Sequence, residues 1–283
     1  MTFYARRTGN LCGYFKFKTM KATDETVVRG LPEDQVSFKN ADQLRLEKFR
    51  LMENHGLIGD KFGAIALSCS DCHACIPLRI NLSKFTLSHH LQQVKKAGLI
   101  FDHELDFPDP VVVSEKNSQE YYELFSCYVK TRHKSSQMTE YDLDEFRSFL
   151  FAQNRLLSVR DANGKLVAAS TLDVQYDPRL YKSMHFHYAF YDTDAAYKNK
   201  SLGTLMWILG VEHALRQKLD YIYLGAGAAG SPKLGYKLAY PGLETFVDGQ
   251  WVDYDPALHT TRPDHAKFLA EQTVDITPKM AEM

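Results

Sequence analysis

Hydrophobic positions recur along the chain with two periods, one near 3.6 and one near 2. Over residues 41–55, Leu44, Leu46, Phe49, Leu51 and Met52 alternate with charge and predict a helix that Gly56 ends. Ser118 to His133 predicts a second helix with a Tyr/Leu/Phe/Val face. Asp142-Leu143-Asp144-Glu145 has an acceptor followed three residues later by glutamate, the mark of a capping box, and opens a helix running to Gln153. Leu202, Leu205, Met206 and Leu209 share one helical face, and Trp207, Ile208 and Val211 widen it, so this helix is expected to be largely buried. The shorter period appears at residues 11–19, where Phe15 and Phe17 alternate with Lys16 and Lys18. Further strands are expected at Lys61–Ser68, Ile76–Ile80, Tyr181–Tyr191 and Tyr221–Leu224. Leu156–Arg160 and Leu166–Val174 read as a pair joined by the turn Asp161-Ala162-Asn163-Gly164.

Phe107-Pro108-Asp109-Pro110 is a turn or linker, because each proline fixes its own φ and disfavours helix before it. A domain boundary is placed there, giving segments 1–108 and 109–258; the chain turns polar beyond about Tyr254, and 259–283 reads as a tail. The second half runs helix, helix, three strands, helix, strand. That order predicts an α+β domain with a mixed sheet whose central strand feeds a buried helix.

Composition narrows the class. The chain has 283 residues, 45% hydrophobic and 24% charged, ordinary for a folded protein and unlike a disordered, collagenous or coiled-coil chain. Its 34 basic and 35 acidic residues leave a net charge of −1, so any nucleic acid must be held by a local patch, for which Lys95, Lys96, Lys198 and Lys200 are candidates. The longest apolar stretch, Leu202 to Val211, is about half the ~20 residues that span a bilayer. No membrane contact is expected, no signal peptide is legible at the start, and the cytoplasm is the expected compartment.

The five cysteines are Cys12, Cys69, Cys72, Cys75 and Cys127. An odd count without a secretory signal argues against a disulfide framework. Cys69, Cys72 and Cys75 form C-x2-C-x2-C, with which one short loop can offer several soft ligands, and Cys12 could supply a fourth. Four thiolates suit structural zinc or a [4Fe–4S] cluster, and the spacing leaves both open. Cys127, in the run Leu124–Val129, reads as a small buried hydrophobe.

Two glycine-bearing segments carry candidate chemistry. Lys198-Asn199-Lys200-Ser201-Leu202-Gly203-Thr204 lies between a strand and a helix, where backbone N–H groups and lysines suit an anion; the alternative is that Gly203 marks a close-packed helix start. Tyr223 to Lys237 follows a short strand, and its small residues let a ligand approach the backbone, with Lys233 and Lys237 as cations and Tyr236 as a stacking group. For Arg132 and His133 the plain reading is a charged helix end. For Asp173 it is an exposed turn residue ahead of Asp177-Pro178, and for His185 and His187 it is strand histidines without a catalytic role.

With these residues in view, a resemblance emerges that runs along nearly the whole chain. Cys12-Gly13-Tyr14, Cys69-Ser70-Asp71-Cys72-His73-Ala74-Cys75-Ile76-Pro77-Leu78-Arg79-Ile80, Tyr128-Val129-Lys130-Thr131-Arg132-His133 with Met138, Tyr188-Ala189-Phe190-Tyr191-Asp192, Ser201-Leu202-Gly203-Thr204, Tyr223-Leu224-Gly225, Tyr236-Lys237 and Gly249-Gln250-Trp251 stand in order. Together they resemble the aminoacyl-tRNA–protein transferases, namely arginyltransferase and the bacterial aspartate/glutamate leucyltransferase. The chain departs from that pattern at Leu67-Ser68, where the family has Pro-His, at Ala226 and Ala228, where it has large residues, and at Ala239-Tyr240, where it has Arg-Phe.

The resemblance implies a cysteine-bearing N-terminal α+β domain and a GNAT-like C-terminal acyltransferase domain. It implies transfer of arginyl or leucyl from aminoacyl-tRNA to the N-terminal α-amine of acceptor proteins, with acidic N-termini as the expected acceptors. Asp173, Tyr188 and Tyr236 are the implied catalytic residues. Arg132, His133, Lys200, Gly203, Lys233 and Lys237 are implied to bind substrate, and Cys12, Cys69, Cys72 and Cys75 to hold zinc or an iron–sulfur cluster. CoA is not expected. Two other readings compete: an acetyl-CoA-dependent N-acetyltransferase on the same fold, and a non-catalytic metal or redox sensor built on the cysteines.

Overall fold

The computed structural model describes residues 6–7, 24–28, 38–59, 63–67, 72–106, 118–134, 136–151, 155–177 and 179–261. The strand expected at 11–19, the Phe107–Pro110 turn, Cys12 and Cys69 lie outside them. In chain order the elements are β1 (Arg6–Arg7), β2 (Asp24–Val28), α1 (Phe38–His55), β3 (Ile58–Gly59), β4 (Ala64–Leu67), β5 (Ile76–Asn81), α2 (His89–Gly98), β6 (Asp102–Asp106), α3 (Ser118–Arg132), α4 (Leu143–Phe151), β7 (Arg155–Arg160), β8 (Leu166–Gln175), β9 (Ser183–Tyr191), α5 (Leu202–Arg216), β10 (Tyr221–Gly227), β11 (Leu243–Val247) and β12 (Gln250–Asp253). The chain forms two compact units: a central unit, Ile80–Tyr223, and a terminal unit made of Met1–Arg79 and Leu224–Met283. These units follow different lines from the contiguous segments 1–108, 109–258 and 259–283. Among the described residues no helix is long and apolar enough to cross a membrane.

In the central unit the strand order is β10-β9-β8-β7-β6, antiparallel except that β10 runs parallel to β9. The β7–β8 hairpin turns where expected: the Asp161 carboxylate accepts from the N–H of Asn163 (2.9 Å) and of Lys165 (3.1 Å), and Gly164 takes φ +79°. All ten residues of β8 are buried, because the sheet is covered on both faces. On one face, Tyr121, Phe125, Tyr128 and Val129 of α3 and Phe146, Phe149 and Leu150 of α4 pack with Ala169 and Phe190. Phe125 is the hub, with ring centroids of Phe146, Phe149, Phe190 and Tyr188 within 4.8–6.0 Å. On α5, Gly210 lets the helix approach β9 closely, since a Cβ there would fall 2.3 Å from the Phe186 ring.

Local chemistry sets the helix starts. The Asp142 side chain accepts from the N–H of Asp144 and Glu145 (3.0 and 2.9 Å), and Glu145 accepts from the N–H of Asp142 (2.9 Å), completing the capping box. Cys127 corrects an expectation: it is exposed. Two residues past Phe125 it lies about 200° round the helix, away from the core that Phe125 enters. The helix period decided its side rather than the apolar run around it.

In the terminal unit, β1-β2-β4-β3 form a small antiparallel sheet, and a second order runs β12-β11-β5-β10. Gly56 ends α1 at φ +60° with its N–H on Met52 O (3.1 Å), and a Cβ there would lie 2.3 Å from the Phe246 ring. The β11–β12 hairpin, α2 and β6 were not anticipated. Asp248 and Gly249 both take positive φ (48° and 82°), the backbone a two-residue primed turn needs. Arg79, at 5% exposure, donates Nε to Glu244 (2.7 Å) and Nη1 to Glu53 (2.8 Å) and lies over the Trp251 ring at 4.6 Å. Trp251 in turn donates Nε1 to the Glu53 carbonyl (3.0 Å).

Candidate active site

The central unit gathers four of the sequence-derived residues. The last turn of α3 delivers Tyr128, Arg132 and then His133; β9 delivers Tyr188 and Tyr191; the first turn of α5 delivers Gly203. Arg132 is exposed, donates Nη2 to the Tyr191 hydroxyl (3.2 Å), and stands 6.0 Å from the centre of that ring. The accepting hydroxyl pushes the Arg132 guanidinium further into its protonated range. Tyr191 packs on Tyr128 at 4.8 Å, and a Cβ on Gly203 would fall 2.9 Å from its ring. Gly203 is therefore at a close-packed helix start, as one of its two readings held. His133 sits at 3.4 Å from the Tyr128 hydroxyl and at 6.4 Å, ring to ring, from Tyr188. The result is a cation on an aromatic floor, with Phe125 and Phe149 beneath Tyr188.

A bulge lies beside this floor. Thr171 pairs with Tyr188, but Leu172 already pairs with Phe186, so His187 is the extra residue of β9. Ser170 donates its hydroxyl to the Tyr188 carbonyl (3.0 Å) at this point. Asp173 is opposite His185 and fully buried (0% exposed), which overturns the exposed-turn reading. It sits two residues along β8 from the partner of Tyr188. Lys200 is half-buried on the loop ahead of α5, its N–H on Tyr197 O (2.9 Å).

The terminal unit holds the other candidates. Lys237 is half-buried in the loop after β10 and donates Nζ to the carbonyls of Leu224 (2.7 Å) and Ala226 (3.1 Å). Burial pulls its pKa down to about 8, against the attraction of the Cys75 sulfur. Tyr236 is exposed and meets Tyr240 edge-on at 6.1 Å; burial, aided by Tyr236, holds the Tyr240 phenol protonated. Lys233 is half-buried, its N–H on the Ser231 hydroxyl (3.3 Å). Cys75 packs with Ala226, Ala228 and Leu234. Cys72 and Cys75 are both buried thiols with two residues between them on the segment before β5, a spacing that suits half of a four-thiolate site. Among the described residues no group of three or more His, Cys, Asp or Glu could hold an ion. Cys12 and Cys69, needed for the full set, lie outside the described residues.

Tyr191, which holds Arg132, stands in the Tyr188–Asp192 motif, but the sequence gives it no role. Its contacts come from α3 and α5, through strand register and helix packing.

Comparison with known proteins gives this geometry a context. Residues 120–247 match a family described as "Arginine-tRNA-protein transferase, C terminus". The chain is 32% identical over 220 residues to a protein of Dinoroseobacter shibae named aspartate/glutamate leucyltransferase, covering 74% of each chain. It is 31% identical over 217 residues to the protein of that name from Ruegeria pomeroyi, again covering 74% of each. Among solved structures it is similar to L-PGS from Bacillus licheniformis, with 13% identity, a TM-score of 0.44, and coverage of 60% of this chain and 53% of that one.

Proposed function

The chain belongs to the aminoacyl-tRNA–protein transferase family, and we propose that it moves leucyl from leucyl-tRNA to the α-amine of proteins beginning with aspartate or glutamate. The observation that carries the acceptor assignment is Arg132, exposed and held on the Tyr128–Tyr188–Tyr191 floor within the matched region. A guanidinium can meet a carboxylate with two parallel N–H···O bonds, which an uncharged acceptor cannot return. The leucyl donor is supported by the relatives' names.

The reaction is aminolysis of an ester. The neutral α-amine attacks the aminoacyl carbonyl carbon, a C–N bond forms, and the C–O bond to the tRNA ribose breaks. The amine's proton ends on the departing ribose hydroxyl. Positioning two substrates supplies much of the rate, because the ester is already activated. In this reading Arg132 and His133 bind the acidic end of the acceptor, Tyr188 faces the acyl group, and Asp173 orients the attacking amine or acts as its base. Lys200 and Gly203 are assigned to the tRNA end; in the terminal unit, Lys233 and Lys237 are assigned to substrate binding and Tyr236 to positioning a substrate. The GNAT-like layout is supported by an antiparallel β7–β8–β9 run followed by α5 and a parallel β10. We further assign Cys12, Cys69, Cys72 and Cys75 to zinc or an iron–sulfur cluster, which metal analysis of the purified protein and its Cys72→Ser variant would test. The site is expected to work in the cytoplasm, without CoA.

The deciding experiment is a transfer assay with separately charged Leu-tRNA and Arg-tRNA. Peptides beginning with Asp, Glu, Lys or Arg serve as acceptors, with acetyl-CoA as a control donor. Label on Asp and Glu peptides from Leu-tRNA supports the proposal. Label from Arg-tRNA alone overturns the donor, and label on basic peptides overturns the acceptor. Acetyl-CoA consumption without tRNA-dependent transfer would favour an acetyltransferase.

A further inference from the structure

We infer that Tyr191 is a positioning residue that sets acceptor specificity by holding Arg132 in place. The inference rests on the reading of Arg132 as the acceptor's carboxylate ligand. Arg132 is exposed at the end of a helix, so its long side chain would ordinarily sample many rotamers and lose that freedom on binding. Tyr191 removes much of that freedom beforehand. Its hydroxyl accepts from Nη2 at 3.2 Å, and its ring lies 6.0 Å from the guanidinium carbon. A bond at one nitrogen leaves the rest of the fork for a carboxylate.

Tyr191 can do this because it is itself fixed. Its ring is held between Tyr128 (4.8 Å) and the bare face of Gly203, where a Cβ would come within 2.9 Å. The main chain is anchored just beyond, where Asp192 N–H donates to Val167 O (2.8 Å). The ring contacts survive replacement by phenylalanine and the hydroxyl contact does not, so Tyr191→Phe isolates the tether from the packing.

The test measures kcat and KM for peptides beginning with Asp and with Asn, using wild type, Tyr191→Phe and Arg132→Ala, with leucyl-tRNA saturating. Losing one hydrogen bond to a charged group should raise KM for the Asp peptide by about three- to tenfold in Tyr191→Phe, with kcat within about twofold. KM for the Asn peptide should not move, so Asp-over-Asn discrimination falls by the same factor. Arg132→Ala should lose that discrimination entirely. If Arg132→Ala loses it and Tyr191→Phe keeps it, the inference is overturned while the acceptor reading stands. If Arg132→Ala leaves discrimination intact, the acceptor reading fails and carries the inference with it. A fall in melting temperature with equal losses for both peptides would give Tyr191 a packing role alone and overturn the inference.

Discussion

Arg79 in the terminal unit and Arg132 in the central unit belong to two motifs of the same family, and their surroundings are opposite. Arg79 is buried, gives its fork to Glu244 and Glu53, and is roofed by Trp251. Arg132 is exposed, and the hydroxyl of Tyr191 is a neutral partner at a single nitrogen. A fork spent on two carboxylates within the fold holds elements together. A fork tethered at one corner keeps its charge for something that arrives. Motif membership does not separate these roles; burial and the charge of the partner do.

The comparison can be broken most strongly at Arg79. Arg79→Ala removes a buried guanidinium from between Glu244 and Glu53, and a loss of about 3–5 kcal/mol in urea unfolding is expected. Replacing the more buried pair together, as Arg79→Met with Glu244→Leu, should recover part of it, the remainder being the bond that Glu53 still loses. A small loss in the single variant would mean that water reaches the pair.

Lys237 comes next: it is half-buried where Arg79 is buried, and its Nζ meets neutral carbonyls where Arg79 meets carboxylates. Its pKa is about 8 in the folded protein against an ordinary 10.5. Between those values the unfolded chain binds more protons, so this group makes stability rise as pH climbs from 8 to 10.5, by a few kcal/mol. Below pH 8 both states are protonated and the cost of burying the charge is constant. Lys237→Met should therefore flatten the rise relative to wild type, read as the difference between their unfolding free energies across that window.

Arg132→Ala should leave unfolding within about 0.5 kcal/mol of wild type. It should lower kcat/KM for acidic acceptors by about 10- to 100-fold, the worth of charged hydrogen bonds. Unfolding loss comparable to that of Arg79→Ala would erase the distinction. Arg50 marks the lower limit: its pair with Glu47 (2.7 Å) is on the surface of α1, and Arg50→Ala should change stability by about 0–0.5 kcal/mol.

What could be read in the sequence was what neighbours along the chain decide. The α4 capping box needs only Asp142 and Glu145, and the β7–β8 turn only Asp161 to Gly164, and both formed as expected. Ser88 accepting from Leu91 N–H, with Leu91 and Val94 buried behind it, would have disclosed α2 to the same rule. Asp248-Gly249 likewise announces the β11–β12 hairpin. β6 is different: Asp102-His103-Glu104-Leu105-Asp106 reads as polar, and pairing with β7 makes it a strand. Asp173 was misplaced because β8 is covered on both faces, so no alternation marks which of its polar residues lie inside. In the site, Arg132 and His133 could be named from their motif. That they share a floor with Tyr191 and Gly203 could not, because the register of β9 and the approach of α5 bring them together.

The Arg79–Glu244 pair spans 165 residues of chain. With synthesis at ~5–20 residues per second, Arg79 leaves the ribosome on the order of ten to thirty seconds before the carboxylate that will neutralise it. Glu53 emerges earlier and can meet it alone, but the strand that carries Glu244 cannot yet lie beside β5. Through that interval the guanidinium lacks the second of its two carboxylates, and β5 lacks the strand that will flank it. The nascent chain therefore passes through a stage in which a charge destined for burial is only partly paired, and factors that shield emerging chains have their greatest effect at that stage.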